Sequence, residues 1–442
     1  MLKYVKPLDN YGINVILIEA STQGKKLNNF YWSDSRQNVK NFNKHAIIDL
    51  IRFTPNGISR IELARVLGLT RAAITATIND LQEADLVHEV KGKHPAGRKP
   101  IVLEINPKRG YVVGVDIGAT HITALLADYS ALVLDEIDAS IDISEGPHKI
   151  LDMVIEMTKE MTRRTGISES SIHAMGIGVP GPVVAGGGMV SGPPIMPGWD
   201  KFPIDTYLEK ALGIPVTVSN DAELGAIGEW AYGAGRGERN LVYIKVGRGI
   251  GAGLLVEGQI YHGATGSAGE IGHITIDENG PLCSCGNRGC LEALAGGNAV
   301  AKSAIARIKR GDRTTLSAIA PISSIRSEDV IDEACRGDLV SQQILIDAGR
   351  HLGTAIAGLV NLFNPNIVII GGNVSRIGDL LLEPIRKTVQ DRSLKMASSN
   401  LRISTALLGK RSSGMGAIVQ ALNMVIHNFA DISDERRLTK AE

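Results

Sequence analysis

One imidazole and three thiols stand close together in HITIDENGPLCSCGNRGC: His273, Cys283, Cys285 and Cys290. That donor set suits a closed tetrahedral zinc site, and three cysteines within eight residues fit a metal better than a disulfide framework. Cys-x-Cys is less diagnostic than Cys-x-x-Cys, and the plain alternative is three reduced cysteines in a loop. The Gly-Asn-Arg-Gly turn favours the metal, because it can bring Cys290 back toward the pair. With no open coordination position, the ion would hold a loop rather than perform chemistry. Cys335 reads as a small residue on a helix. A second feature is KVGRGIGAGL at 245–254, where alternating glycines, Gly247 and Gly249 among them, free backbone N–H groups to close on a phosphate. Arg248 stands inside that loop, in room a nucleotide would need. The third feature is a set of acids at strand or loop ends. Asp116, beside Gly118 and Thr120, suits the neighbourhood of a metal-bound phosphate. Asn220 and Asp221 suit a polyol, with Asp221 able to accept a hydroxyl proton or simply to cap a helix. Glu270 lies in AGEIGH.

The elements that must position these residues alternate between strand and helix over 109–429. Residues 111–139 read as three strands joined by tight turns, followed by a helix at 148–164 and the strand HAMGIGVPG. PVTVSND leads into the helix AELGAIGEWAYG, and 241–263 repeats the strand–glycine–strand theme about 130 residues after its first appearance. That repeat predicts a duplicated α/β body with a cleft between its halves, and strand ends in open α/β sheets line such clefts. A long helix at 338–363, the strand NIVIIGG, the strand RISTAL and a helix from Gly414 complete the body. Residues 430–442 read as a frayed polar tail, and 1–40 as an extension that is partly disordered.

Residues 41–108 form a separate pattern. Ile47, Ile48, Leu50 and Ile51 mark a helix stopped by Pro55-Asn56-Gly57. Ser59 and Glu62 have the capping-box spacing for a second helix that ends at Gly68. Thr70 can cap a third, whose apolar face is Ile74, Ile78 and Leu81 and whose outer face carries Arg71, Ala72, Thr75 and Asn79. Strands at Val87–Val90 and Pro100–Ile105 flank the basic connection KGKHPAGRKP. Three helices and a basic hairpin predict a winged helix-turn-helix, with Arg71 reaching a guanine edge or a phosphate and Arg98 and Lys99 reaching phosphates or a minor groove. An ordinary solvated charged face is the competing reading.

Charge separates head from body. Residues 36–109 hold 13 Lys/Arg against 7 Asp/Glu, and the remainder holds 34 against 40, so the chain is neutral only in sum. A polyanion partner for the head alone is the natural inference. The chain has 442 residues, 44% of them hydrophobic, which requires more than one domain. No apolar run approaches the roughly 18–20 residues of a membrane span, and the N-terminus lacks a signal-peptide cleavage pattern, so a cytoplasmic protein is expected.

DIGAT, VPGPV, SNDAE, AGEIGH, CSCGNRGCLEA and IVIIGG together resemble the ROK family of repressors, open reading frames and sugar kinases, over about residues 40–425. The resemblance implies an actin-like (ribonuclease H-like) duplicated body with two lobes and a central cleft. With the head attached, it points to the winged-helix, xylose-repressor-like branch: sugar-responsive regulators, usually repressors, that act as dimers or tetramers on palindromic operators and associate with the nucleoid when DNA-bound. It implies sugar contacts at Asn220, Asp221, Glu270, His273 and Glu292, with His273 serving zinc as well, and catalysis by Asp221 only if the chain is a kinase. Departures from the kinase pattern argue against ATP and Mg2+. Ala119 replaces a glycine in the first phosphate loop, His121 stands where kinases often carry Lys or Asn, and Arg248 replaces a Thr or Ser in the second. Ile195 stands where the family often has Asn, which removes a polar sugar contact. The expected function is a regulator whose effector is a sugar or sugar phosphate; the alternative is an ATP-dependent sugar kinase with an appended head.

Overall fold

The computed structural model describes residues 35–92, 100–184, 188–192 and 196–438. The chain opens with three helices, α1 (Ser35–Phe53), α2 (Arg60–Leu67) and α3 (Arg71–Glu83), and a hairpin of β1 (Val87–Lys91) and β2 (Ile101–Ile105). Local chemistry sets their limits. Ser59 and Glu62 close a reciprocal capping box at the start of α2, Gly68 ends it in the left-handed region at φ 65°, and Thr70 caps α3 by accepting from Ala73 N–H at 3.2 Å. Ile74, Ile78 and Leu81 are buried, while Arg71, Ala72, Thr75 and Asn79 are exposed, as the helical period requires. An isolated bridge between Ile58 and Leu103 adds a third edge to the hairpin. The wing tip, with Arg98 and Lys99, lies outside the described residues, as does Ile195.

The body consists of two sheets built to one plan. The first contains β3 (Tyr111–Ile117), β4 (His121–Asp128) and β5 (Val133–Ser140), then α4 (Pro147–Thr165), β6 (Ile172–Val179), α5 (Ile204–Leu212) and β7 (Val216–Asn220), and is followed by α6 (Asp221–Tyr232). The second contains β8 (Leu241–Val246), β9 (Ile250–Val256) and β10 (Gln259–Ile260). It continues through α7 (Leu291–Ala295), α8 (Gly297–Arg310), α9 (Ser327–Cys335) and α10 (Leu339–Phe363) to β11 (Ile367–Gly371), α11 (Asp379–Arg392), α12 (Lys395–Ser398), β12 (Arg402–Thr405) and α13 (Ser412–Leu438). Strand orders are β5-β4-β3-β6-β7 and β10-β9-β8-β11-β12, with the first three strands of each antiparallel and the last two added in parallel. The predicted duplication is therefore present strand for strand.

Each lobe's last helix crosses to the other lobe. α6 leaves the first sheet but packs on β8 and β9; α13 leaves the second but packs on β3 and β6. The two also pack on each other, and glycines let them approach. A Cβ on Gly416 would lie 1.8 Å from Leu224 O, and one on Gly228 would lie 2.1 Å from Ser412 O. The outer faces of the sheets are covered by α4 and by α10. α13 continues to Leu438, into the stretch that the sequence suggested would fray, and Met415, Ile418, Leu422 and Ile426 place a buried stripe at helical spacing along its first half. That stripe joins one apolar core with Ile47, Ile51 and Leu67 of the head and Val112 and Tyr129 of the first sheet. At about 1.5–3 kcal/mol for each fully buried large aliphatic side chain, this core seats the head on the body.

Candidate effector cleft and metal-ligand cluster

Strand alternation aims two residues of opposite charge at one point. On β3, Val113, Val115 and Ile117 face the α4 side, which turns Asp116 inward; on β8, Val242, Ile244 and Val246 face the α10 side, which turns Lys245 inward. Lys245 Nζ lies 3.0 and 2.9 Å from the two carboxylate oxygens of Asp116, 2.9 Å from Asp221 Oδ2 and 3.3 Å from Ser413 Oγ. Asp221 is the first residue of α6 and Ser413 the second of α13, so the ammonium group meets both crossing helices at their start. Ser413 Oγ also donates to Asp221 O at 2.8 Å. Burial works against charge on all three ionisable groups. For Asp116, the nearby Lys245 and His121 outweigh burial and hold its carboxyl below the ordinary range. For Asp221, burial prevails, with Asp116 adding to it and Lys245 opposing, and the carboxyl is raised. Lys245 itself is raised, because Asp116 and Asp221 overcome the burial penalty.

Lys245 is the first residue of KVGRG, and the residues around it in the sequence assign it no role. The signal was available: laying KVG over DIG aligns Lys245 with Asp116 and Gly247 with Gly118.

Neither glycine turn is an open anion cradle. Gly118 N–H donates to His121 O at 2.8 Å, and Gly247 N–H donates to Gly249 O at 2.9 Å, so each turn spends its leading donor on itself. The His121 ring lies over the first turn: a Cβ on Gly118 would sit 2.3 Å from its Cε1, and its Nε2 lies 3.8 Å from Asp116 Oδ2. Thr120 is exposed and its carbonyl accepts from Ile141 N–H; Ala119 O accepts from Ile143 N–H. On the second turn, Glu292 Oε2 accepts from Ile250 N–H at 3.0 Å and would lie 2.6 Å from a Cβ on Gly249. A carboxylate so placed repels phosphate. Arg248 is exposed at the cleft mouth; its charge reaches Asp142 on the other lobe, whose carboxyl is lowered chiefly by hydrogen bonds from Ser144.

Asn220, not Asp221, caps α6: its Oδ1 accepts from Ala222 N–H at 2.9 Å and Glu223 N–H at 3.1 Å, while Nδ2 donates to Gly181 O at 3.0 Å. Asn220 therefore ties the VPGPV segment to the helix start, and only its second Nδ2 hydrogen is left for a ligand. Glu270 precedes a short 3-10 turn that carries His273, with Glu270 Oε2 4.0 Å from His273 Nε2. Burial raises the Glu270 carboxyl, His273 opposes it, and the charges of Glu292 and Asp221 add to it. Asp221, Glu270, Glu292 and His273 thus share one acidic cleft between the lobes, able to accept and donate hydrogen bonds to a polyol.

Behind this cleft, ligand atoms of His273, Cys283, Cys285 and Cys290 all lie within 4.8 Å of one another. The Cys285–Cys290 sulfur separation and the Cys283 Sγ–His273 Nδ1 separation are both 3.7 Å. The edge of a tetrahedron with metal–sulfur bonds of about 2.3 Å is about 3.8 Å, so the group could hold a metal. Bridges Leu282–Arg288 and Thr275–Cys290 fold the loop back, and Cys290 caps α7, on which Glu292 stands. Nδ1 of His273 faces the thiols and Nε2 faces Glu270, so the ring stands between the cysteine cluster and the cleft. Cys335 is exposed on α9 and takes no part.

The ROK family model matches residues 112–423. The chain belongs to the ROK family. It is 31% identical over 386 residues to a protein of Caldicellulosiruptor sp. (strain Rt8B.4) named a putative xylose repressor, covering 87% of this chain and 96% of that one. Among solved structures, a ROK family transcriptional regulator described as a homolog of the E. coli MLC protein superposes with a TM-score of 0.75 at 30% identity, covering 89% of this chain and 98% of the other. A ROK family glucokinase from Streptomyces griseus, solved with glucose and AMPPNP, superposes with a TM-score of 0.64 at 30% identity over 71% of this chain and 99% of its own. The regulator matches a larger share of this chain than the glucokinase does. Among the described residues, no helix is long and apolar enough to cross a membrane.

Proposed function

We propose that the protein is a sugar-responsive DNA-binding transcriptional regulator, a repressor of carbohydrate uptake or catabolism genes, and not an enzyme. One observation carries this reading: the head rests on the same two helices that begin in the cleft. α6 runs from Asp221 to Trp230 and Tyr232, whose rings pack at a tilt against Phe53 of α1 at 5.3 and 6.2 Å between centroids. Arg236, just beyond, donates to Phe53 O at 3.0 Å. α13 carries Ser413 in its first turn and, near its middle, Asn423, whose Oδ1 accepts from Arg52 of α1 at 2.5 Å. A ligand that moves the lobes also moves the seat of α1, and with it α3. In a dimer the spacing of two recognition helices must match operator half-sites about one helical turn apart, so a small shift changes affinity.

In this reading Arg71, Ala72, Thr75 and Asn79 face the major groove, and Arg98 and Lys99 of the wing reach the backbone. Arg60 holds Asn79 through Nη1 at 3.2 Å, which presets that side chain on the face. Asp221, Glu270, Glu292 and His273 take the hydroxyls of a sugar or sugar phosphate, with Asn220 shaping the wall. Zinc at His273 and the three cysteines is structural; with Nδ1 on the metal, the ring must keep its Nε2 proton and so donates to ligand or Glu270. The working form is a homodimer or tetramer on a palindrome, in the cytoplasm. A sugar kinase with an appended head would use Asp221 as base, but His121, Glu292 and Lys245 each oppose phosphate or metal where such an enzyme needs them.

The test is binding to a palindrome from upstream of the protein's own gene, followed by anisotropy, with and without a panel of sugars that begins with xylose and glucose. Arg71→Ala should weaken binding by about 1–3 kcal/mol if the side chain reads a base. Unchanged affinity and sequence preference would remove α3 as the recognition helix. Glu270→Ala should keep DNA binding and lose the sugar effect; a normal sugar response would place the effector elsewhere.

A further inference from the structure

We infer that Lys245 is a built-in cation that holds the place of a divalent metal ion between Asp116 and Asp221, closing the cleft floor to metal–nucleotide and tying the two lobes together without either. The geometry is that of a cation site with the cation covalently attached. Three carboxylate oxygens from two residues lie 2.9–3.0 Å from one Nζ, and a hydroxyl, Ser413 Oγ, lies at 3.3 Å. Two acids that share a buried space need a counter-charge, because desolvated like charges repel strongly. A metal ion supplies that charge with oxygen donors of this kind; here an ammonium group does. The side chains of Asp116, Lys245 and Asp221 are only 3, 14 and 15% exposed, so bulk water and salt cannot substitute for it.

The position of Lys245 in the duplicated body gives the inference its structural meaning. Asp116 and Lys245 are equivalent residues of the two repeats, each on the inward face of its lobe's first strand and each two residues before the glycine of its turn. A carboxylate at both positions would give a cleft that must recruit a cation to close. Opposite charges at the two positions give one that closes by itself. The ammonium group also fixes the starts of α6 and α13 relative to each other, since Asp221 and Ser413 are among its partners. This inference deepens the regulator reading by naming what replaces the metal and nucleotide at this site.

The test uses Mn2+ as probe, on full-length protein loaded beforehand with zinc, with free Mn2+ counted by electron paramagnetic resonance. Wild-type protein should bind Mn2+ only weakly. Lys245→Met removes the cation but keeps both acids, and should bind one Mn2+ about tenfold more tightly than wild type, or better, because the orphaned acids regain a counter-charge. Asp116→Asn in the same chain should abolish that gain, and the double variant, with its cleft charge restored to the wild-type value, should melt nearer to wild type than Lys245→Met does. If Lys245→Met alone is poorly folded, added Mn2+ should raise its melting temperature while leaving the double variant unmoved. Mn2+ binding by Lys245→Met no stronger than by wild type, or no rescue of a poorly folded variant, overturns the inference. DNA binding by wild-type protein, measured on the same preparation, tests the regulator reading separately and survives that failure.

Discussion

DIGAT in the first lobe and KVGRG in the second descend from one plan, yet they are held in different ways. The first turn is pinned from within its own lobe: Gly118 bonds to His121, Ala119 and Thr120 accept from the segment after β5, and the His121 ring lies on top. The second is pinned by a carboxylate from outside the strand pair. Glu292 holds Ile250 N–H, and Glu292 stands on a helix of five residues whose cap is the ligand candidate Cys290. A helix that short has little stability of its own. The first lobe is thus self-supporting at the cleft, whereas the second depends on the cysteine cluster behind it.

Breaking that dependence should have the largest effect. Cys290→Ser removes one thiolate from the group and the buried sulfur that starts α7. Purified variant should lose most of its zinc by elemental analysis. Structural zinc contributes several kcal/mol where it organises a loop, and for a body of this size a loss of that order lowers the melting temperature by roughly 10 °C. Sugar response should vanish with it, since Glu270, His273 and Glu292 all hang on this loop, while the head keeps its fold. Full metal content and an unchanged melting curve would show that the second lobe is as self-supporting as the first.

The next effect lies where the lobes meet. Asp116→Asn leaves Lys245 with Asp221 alone and removes half of its counter-charge; breaking a buried pair in this way costs about 3–5 kcal/mol. It should also change the acid limb of the stability curve. The Asp116 carboxyl is lowered in the folded protein, so its contribution is present above the ordinary value of 3.8 and is lost as pH falls through the folded value. The variant should be less stable than wild type at neutral pH and lose less on acidification below about pH 4, the range in which an ordinary Asp takes up its proton. Parallel acid limbs in the two proteins would mean that Asp116 is not the group Lys245 stabilises.

Much of this was legible in the sequence. Periodicity and caps placed all three head helices, because Ser59, Glu62, Gly68 and Thr70 act on their own neighbours. The repeat of strand–glycine–strand gave the duplication, and the donor set gave the metal cluster. What stayed hidden depends on which faces meet. Lys245 carries no signal of its own in the sequence, since nothing local distinguishes a solvated lysine from one aimed at an acid 129 residues away. The cap of α6 is Asn220 rather than Asp221, because the helix begins one residue earlier than a capping Asp221 would set it, and the Asp221 carboxylate is thereby freed for the cleft. The crossing of α6 and α13 rests on Gly228 and Gly416, and a glycine in a helix announces only weakness until its partner is known.

The smallest expected effect sharpens the comparison most. If the two turns were disabled phosphate loops and nothing more, Ala119→Gly together with Arg248→Thr would restore ATP binding. The geometry leads to the opposite expectation. Removing the Ala119 methyl leaves the His121 ring over Gly118, and removing the Arg248 side chain leaves Glu292 on the second turn with its charge toward any incoming phosphate. Lys245 still fills the space between the acids. Calorimetry with Mg2+ and ATP should therefore register no binding for the double variant at concentrations where a working kinase saturates. Measurable ATP affinity would mean that the two named substitutions alone closed the site, and that His121, Glu292 and Lys245 move aside when nucleotide arrives.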